Sequence, residues 1–177
     1  RNRTIISLSH GTMANAMPQA LGAKKAQPHR QVISLSGDGG LAMLLGDLIT
    51  TIQEDIPIKV VVFNNGRLGF VELEQKVEGL LDAYTDLNNP DFGRVAEALG
   101  LWGRTIKDAE LLDAAVLEWL AQPGPALLDV HTDGTELVMP PVVGAAQVFG
   151  TALYSAKAVL SGRGGDVVEM LTDNFIN

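Results

Sequence analysis

A chain of 177 residues is long enough to bury one sizeable core, and 46% hydrophobic residues against 19% charged ones read as a compact globular domain. Its formal charge of −8, with 13 scattered Lys and Arg, excludes a nucleic-acid surface, which needs clustered cations to displace counterions. The absence of cysteine excludes disulfides, thiolate nucleophiles and sulfur-ligated metals, and no apolar run approaches the roughly 20 residues that span a bilayer. The expectation is a cytoplasmic domain without a signal peptide, and a first residue other than Met suggests a piece of a longer protein.

In chain order, short apolar runs alternate with helical patterns. "TMANAMPQALGAKKA" reads as helix, "QVISLS" as strand, "LAMLLGDLITTIQED" as one helix and "IKVVVFNN" as strand. After a polar stretch, "NPDFGRVAEALG" predicts a helix with Asn89 as cap and Pro90 at its first position, stopping at Gly100. "LWGRTI" follows as strand, "DAELLDAAVLEWLAQ" as helix capped by Asp108, and "PALLDVHT" as strand. Val32–Leu35, Val60–Phe63 and Ala126–Val130 are nearly continuous in apolar residues, as in strands covered on both faces. The fold class is therefore α/β, a doubly wound, mainly parallel sheet with helices on both faces. The domain is expected over 1–142, with a helical tail over 143–177 whose two helical patterns flank "SGRGGD".

The stretch "SGDGG" ends the first of these strands, where open parallel sheets bind ligands. Glycine N–H groups at such a turn suit phosphate, yet Asp38 sits among them and would repel it. With 24 residues between Gly39 and Asn64, one helix and one return strand bring the "NN" end back to the same sheet edge. A carboxylate and an amide oxygen meeting there, away from any His or Cys, suit a hard cation such as Mg²⁺. The cation would stand between Asp38 and a diphosphate, leaving the N–H groups of Gly39 and Gly40 for the remaining oxygens. The bland alternative is a helix cap at Asp38 with an unrelated turn at "NNG".

A GDG followed at this interval by NN resembles the signature of thiamin diphosphate enzymes. "HGTMANAMPQALGA", "SGDGGLAMLLGDL", "VVVFNNGRLGFVELE", "MPP" and "LSGRG" are together most similar to the pyruvate oxidases, the ubiquinone-dependent pyruvate dehydrogenases. That resemblance implies Asp38 and Asn65 as side-chain ligands of Mg²⁺, with the backbone carbonyl of Arg67 as third ligand. It implies cofactor contacts by Gly11, Met13, Gly37, Asp38, Gly39, Gly40, Asn65, Arg67, Leu68 and Gly69. Met13 matches the apolar prop that bends the cofactor, and Gly11 the residue whose carbonyl accepts from its amino group. Phe70 matches an aromatic near substrate and flavin, and Glu74 a pocket acid; a core Phe and a solvated Glu are the alternatives.

The resemblance further implies pyruvate as substrate, FAD mainly on a domain outside this chain, ubiquinone as acceptor, a separate pyrimidine-binding domain and a tetrameric homo-oligomer. The isolated chain would then be catalytically silent. In the tail, Ala145, Val148, Phe149, Ala152, Leu153, Ala156, Val159 and Leu160 share one helical face, which packs on the domain or docks on lipid at the inner face of the cell membrane. Another thiamin diphosphate decarboxylase, an acetolactate synthase and a non-catalytic α/β module remain as alternatives. His10, His29 and His131 have no ligand spacing.

Overall fold

The computed structural model describes residues 4–5, 11–134 and 145–175, with side chains at 145–146 and 173–175 left aside. His10, the "MPP" segment and the 142/143 boundary lie outside the described residues. The chain forms two compact units: Arg1–Gly66 with Asn88–Thr132, and Arg67–Leu87 with Asp133–Asn177.

In the first unit a 3₁₀ turn at Met13–Asn15 leads into α1 (Ala16–Ala26), β1 (Ile33–Gly37), α2 (Asp38–Met43), α3 (Leu48–Gln53) and β2 (Lys59–Asn64). The second unit's α4 (Gly69–Val77) intervenes, and the first unit continues with α5 (Phe92–Ala98), β3 (Trp102–Ile106), α6 (Leu112–Ala121) and β4 (Ala126–His131). All three strand pairings are parallel, in the order β1-β2-β4-β3. Every strand therefore ends at the same edge, and the residues after β1 and β2 are neighbours.

One sheet face presents Val60, Val62 and Leu127 to Met17 and Ala20 of α1, Leu48 of α3, and Phe92 and Ala96 of α5. The other presents Val61, Ala126 and Leu128 to Ala115 and Trp119 of α6. Burial of this kind contributes about 25 cal/mol per Å² of apolar surface, and it accounts for the continuous apolar runs of β2 and β4. For β1 the expectation of two covered faces is corrected. It is an edge strand in which Ser34 and Ser36 point inward and Leu35 is 63% exposed.

Two further expectations change. The single helix read in "LAMLLGDLITTIQED" is two, because Leu44 leaves helical geometry at φ −127° and a 3₁₀ turn at Leu45–Asp47 separates α2 from α3. The cap of α5 is Asp91, not Asn89: Asp91 is extended, and its carboxylate accepts from the Arg94 N–H at 3.0 Å, the third helical position. Asp108, read as the cap of the next helix, caps the 3₁₀ turn at Ala109–Leu111 that leads into α6, accepting from Glu110 N–H.

The second unit holds α4, α7 (Ala145–Leu160) and α8 (Gly164–Phe175), the last two being the helices read on either side of "SGRGGD". Its core is Tyr154, Ala158 and Met170. Glu72 and Lys76, one turn apart on α4, form a buried ion pair of 2.5 Å, with the Lys76 ammonium 5.4 Å from the Tyr154 ring centre. Arg163, in the turn between α7 and α8, grips both Asp82 oxygens at 3.0 and 2.8 Å and reaches Asp166 at 2.8 Å. Burial counts against an ionised Asp82, but Arg163 outweighs it and holds the carboxyl below its ordinary value. Of the apolar face read on α7, Val148, Phe149, Leu153, Val159 and Leu160 are exposed. The buried face instead carries Gly150, Tyr154 and Ala158. No helix among the described residues is long and apolar enough to cross a membrane.

The α5–β3 contact depends on small residues: a Cβ on Gly103 would overlap the Gly93 carbonyl oxygen and press within 3.1 Å of the Ala96 Cβ. Gly103→Ala is expected to destabilise the first unit by about 1–3 kcal/mol through overpacking. Chemical denaturation checks this, and an unchanged midpoint would refute the tight contact.

Candidate functional site

The site is built where β1 and β2 end. Gly37 closes β1 in extended geometry and Asp38 opens α2, so the carboxylate sits at the strand-to-helix junction, only 3% exposed. Its Oδ1 accepts from the Gly39 N–H at 2.9 Å. Its Oδ2 accepts from the Gly66 N–H at 2.8 Å and from the Asn89 amide at 2.7 Å. Gly66 directly follows Asn65, so the two loop tips that sequence spacing brought together do meet at one edge. Asn65 itself is half-buried.

The environment of Asp38 bears on what it holds. Among the described residues no Lys, Arg or His forms an ion pair with it. A carboxylate offers about four acceptor positions, and three N–H donors occupy three of them. One oxygen position is left for a cation, which fits a single hard ligand contributed to a Mg²⁺ shared with phosphate and water. No group of three His, Cys, Asp or Glu able to hold a metal exists among the described residues. Gly39, expected to offer its N–H to phosphate, spends it on Asp38 in this state.

The other expected residues fall as follows. Gly40 lies against the 3₁₀ turn, where a Cβ would come within 2.5 Å of the Met13 carbonyl oxygen. That contact draws Met13 to the start of α2 and leaves its side chain 41% exposed. Gly11 is exposed with φ +58°. Arg67 opens the second unit, where its side chain pairs with Glu72 and Asp86, and the Leu68 N–H bonds the Thr85 carbonyl. Gly69 begins α4. Phe70, 66% exposed, and Glu74, also exposed, lie one turn apart on α4, on the side away from the buried Glu72 and Lys76.

Sequence reasoning missed the polar chain behind Asp38. The Asn89 amide donates to Asn64 Oδ1 at 3.0 Å as well as to Asp38, and the Asn64 amide donates to Asp129 Oδ1 at 3.1 Å. Asp129 Oδ2 faces the Phe92 N–H at 3.3 Å and the Thr105 hydroxyl at 3.2 Å, and that hydroxyl also lies 2.7 Å from Asp91 Oδ1. An Asp immediately after a Pro and three residues before Arg94 was the available signal, since a cap at Asp91 releases Asn89 for another task.

Burial raises the Asp129 carboxyl above its ordinary value, against the Asn64 amide, nearby His131, Thr105 and the Phe92 N–H. Asp91 moves the other way, lowered first by the Thr105 hydroxyl and then by the Arg94 N–H. The geometry agrees. A hydroxyl has one proton, and the shorter contact assigns it to Asp91. The 3.2 Å contact then becomes a hydrogen bond when Asp129 itself carries a proton.

A carboxyl raised on folding stabilises fully below the unfolded value, about 3.9, and loses that contribution as pH rises through its folded value. Asp129→Asn imitates the protonated form toward Thr105 and Asn64 but orphans the Phe92 N–H, costing about 1–2 kcal/mol. Its deficit against the wild type is therefore expected to be greatest in acid and to shrink as pH rises, in denaturant titrations at stepped pH. A deficit constant across pH would refute the assignment.

Comparison with known proteins meets this geometry. The sequence profile of the family described as thiamine pyrophosphate enzyme, C-terminal TPP binding domain, matches residues 1–130, which contain the whole site; thiamine pyrophosphate is thiamin diphosphate. A Bacillus subtilis protein, YdaP, described as thiamine pyrophosphate-containing, is 37% identical over 153 residues, covering 86% of this chain and 26% of its own length. The mitochondrial acetolactate synthase catalytic subunit of Saccharomyces cerevisiae is 37% identical, covering 77% of this chain and 20% of that protein. The Rhodococcus jostii RHA1 thiamine diphosphate-dependent 4-hydroxybenzoylformate decarboxylase superposes with a TM-score of 0.63 at 32% identity, over 68% of this chain and 23% of its own. The chain thus spans about a quarter of the length of these relatives. With its glycine-flanked Asp38 held to the loop after β2 in a parallel sheet, the chain belongs to the thiamine pyrophosphate enzymes and carries their C-terminal cofactor-binding domain.

Proposed function

We propose that this chain is the Mg²⁺- and thiamin diphosphate-binding portion of an enzyme that decarboxylates pyruvate. One observation carries the reading: a buried carboxylate without a cationic partner among the described residues, joined at 2.8 Å to the loop tip that bears Asn65. In this reading Asp38 and Asn65 supply the side-chain oxygens for Mg²⁺ and the Arg67 backbone supplies a third. Gly11, Gly37, Gly39, Gly40, Leu68 and Gly69 line the cofactor, and Met13 supports it. The resemblance assigns substrate-side roles to Phe70 and Glu74, both exposed on α4. Thiamin diphosphate, when bound, would supply a nucleophilic thiazolium carbon and a sink for the electrons released on decarboxylation. The protein's part is to hold the diphosphate, orient the ring and exclude water.

The fate of the two-carbon unit divides two readings. Transfer of electrons through FAD to ubiquinone, yielding acetate, is supported by the "LGFVELE" and "LSGRG" segments. Transfer to a second keto acid is supported by acetolactate synthase relatives at 36–37% identity. In either case the pyrimidine-binding and FAD domains and the homo-oligomer concern the whole protein. The exposed apolar side of α7 is the surface that would meet lipid.

Asp38→Ala in the whole protein is expected to weaken thiamin diphosphate retention in Mg²⁺ about a hundredfold, the upper end of what even supporting residues cost. Calorimetry with and without Mg²⁺ checks this, and equal affinity in both conditions would defeat the reading. Supplied with pyruvate and a quinone, the wild type is expected to form acetate and reduced quinone. Acetolactate as the main product would select the synthase instead.

A further inference from the structure

We infer that Asn89 is a positioning residue, a two-headed clamp that sets the Asp38 carboxylate against the loop after β2 so that one oxygen position stays open to a cation. The inference rests on the function proposed above. A primary amide has two N–H bonds, and this one spends them on two different strand ends, Asp38 Oδ2 at 2.7 Å and Asn64 Oδ1 at 3.0 Å. Gly66 donates to that same Asp38 oxygen, so Oδ2 is pinned from two directions while Oδ1 has a single donor among the described residues. The carboxylate cannot turn without breaking at least one of these bonds.

The clamp has its own footing. Asn89 lies just before Pro90, whose ring disfavours helical geometry in the preceding residue and keeps the turn extended. Two residues on, Asp91 is tied to the start of α5 through Arg94 N–H and to β3 through Thr105. From Asn64 the chain continues to Asp129, which accepts from the N–H of Phe92, the residue after Asp91. The hydrogen bonds therefore close a ring that begins and ends beside the "NPD" turn and touches β2, β4 and the start of α5. Asn89 is the member of that ring whose amide bonds Asp38 directly.

The test uses the whole protein and two readouts. The first is the Mg²⁺ concentration that half-saturates binding at fixed thiamin diphosphate. The second is hydrogen exchange at the Gly66 amide without metal or cofactor. Asn89→Ala is expected to raise half-saturating Mg²⁺ about tenfold, as loss of a residue supporting a ligand does, and to speed Gly66 exchange. Asn89→Gln, with both donors on a longer arm, is expected to fall between it and the wild type, and allows the comparison should the truncation unfold. Asp91→Ala loosens the same turn without removing a bond to Asp38, so it is expected to lower the thermal midpoint while half-saturation stays within about twofold. Unchanged half-saturation in Asn89→Ala would overturn the clamp, as would an equal loss in Asp91→Ala, which would mark a merely structural turn. A wild type that takes up no Mg²⁺ would defeat the proposed function, and Gly66 exchange alone would then decide the clamp.

Discussion

The site is organised around one expensive arrangement, a carboxylate removed from water at the mouth of a parallel sheet and held, among the described residues, by N–H dipoles. Burying an ionised group is unfavourable unless its oxygens are satisfied, and Asp38 is satisfied by Gly39, Gly66 and Asn89 rather than by a salt bridge. These donors come from its own helix, from the loop after the neighbouring strand and from a turn 51 residues away. Their convergence is a consequence of parallel topology: strands that run the same way deliver their loops to one edge. Antiparallel pairing of β1 and β2 would have put Gly66 at the other end of the sheet.

That geometry also explains why the polar residues at the strand ends are buried while the strand centres are apolar. Val60, Val62, Leu127 and Leu128 make the middle of the sheet an oily layer. Asn64 and Asp129 continue β2 and β4 beyond that layer, where their side chains have each other and the backbone of α5 as partners. The raised Asp129 and the lowered Asp91 share the Thr105 hydroxyl, so a carboxyl favouring its proton stands beside one that releases it. Such a network specifies one arrangement of the surrounding loops, because any slip leaves a buried donor or acceptor without a partner.

The second unit solves a different problem with similar means. Three helices cannot bury much apolar surface, and the gap is filled by charge: Glu72 with Lys76 in the interior, and Arg163 gripping Asp82 and Asp166 at the α7–α8 turn. Tyr154 sits fully buried there, its hydroxyl without a hydrogen-bond partner among the described residues and pushed up to about 12, chiefly by burial. The same three helices leave Val148, Phe149, Val159 and Leu160 exposed on α7 and Phe70 on α4. The apolar residues of this unit are thus divided between a small core and an outward surface.

The sequence by itself determined the order of the strands and of the helices between them, save for α4 and the break between α2 and α3, together with the parallel α/β class and the meeting of Asp38 with the loop after Asn65, because hydrophobic period, glycine punctuation and a crossover of fixed length are local properties. It also marked the two tail helices through the glycines between them. Tertiary structure alone decided which strand lay at the edge, exposing Leu35 despite its apolar surroundings, and which face of α7 was buried, since a periodic stripe does not name the surface that covers it. It likewise decided the partners of Asn89. A cap and a cross-strand clamp ask for the same side chain, and only the folding of distant segments onto one sheet edge, which places Asp38 and Asn64 within reach of a single amide, distinguishes them.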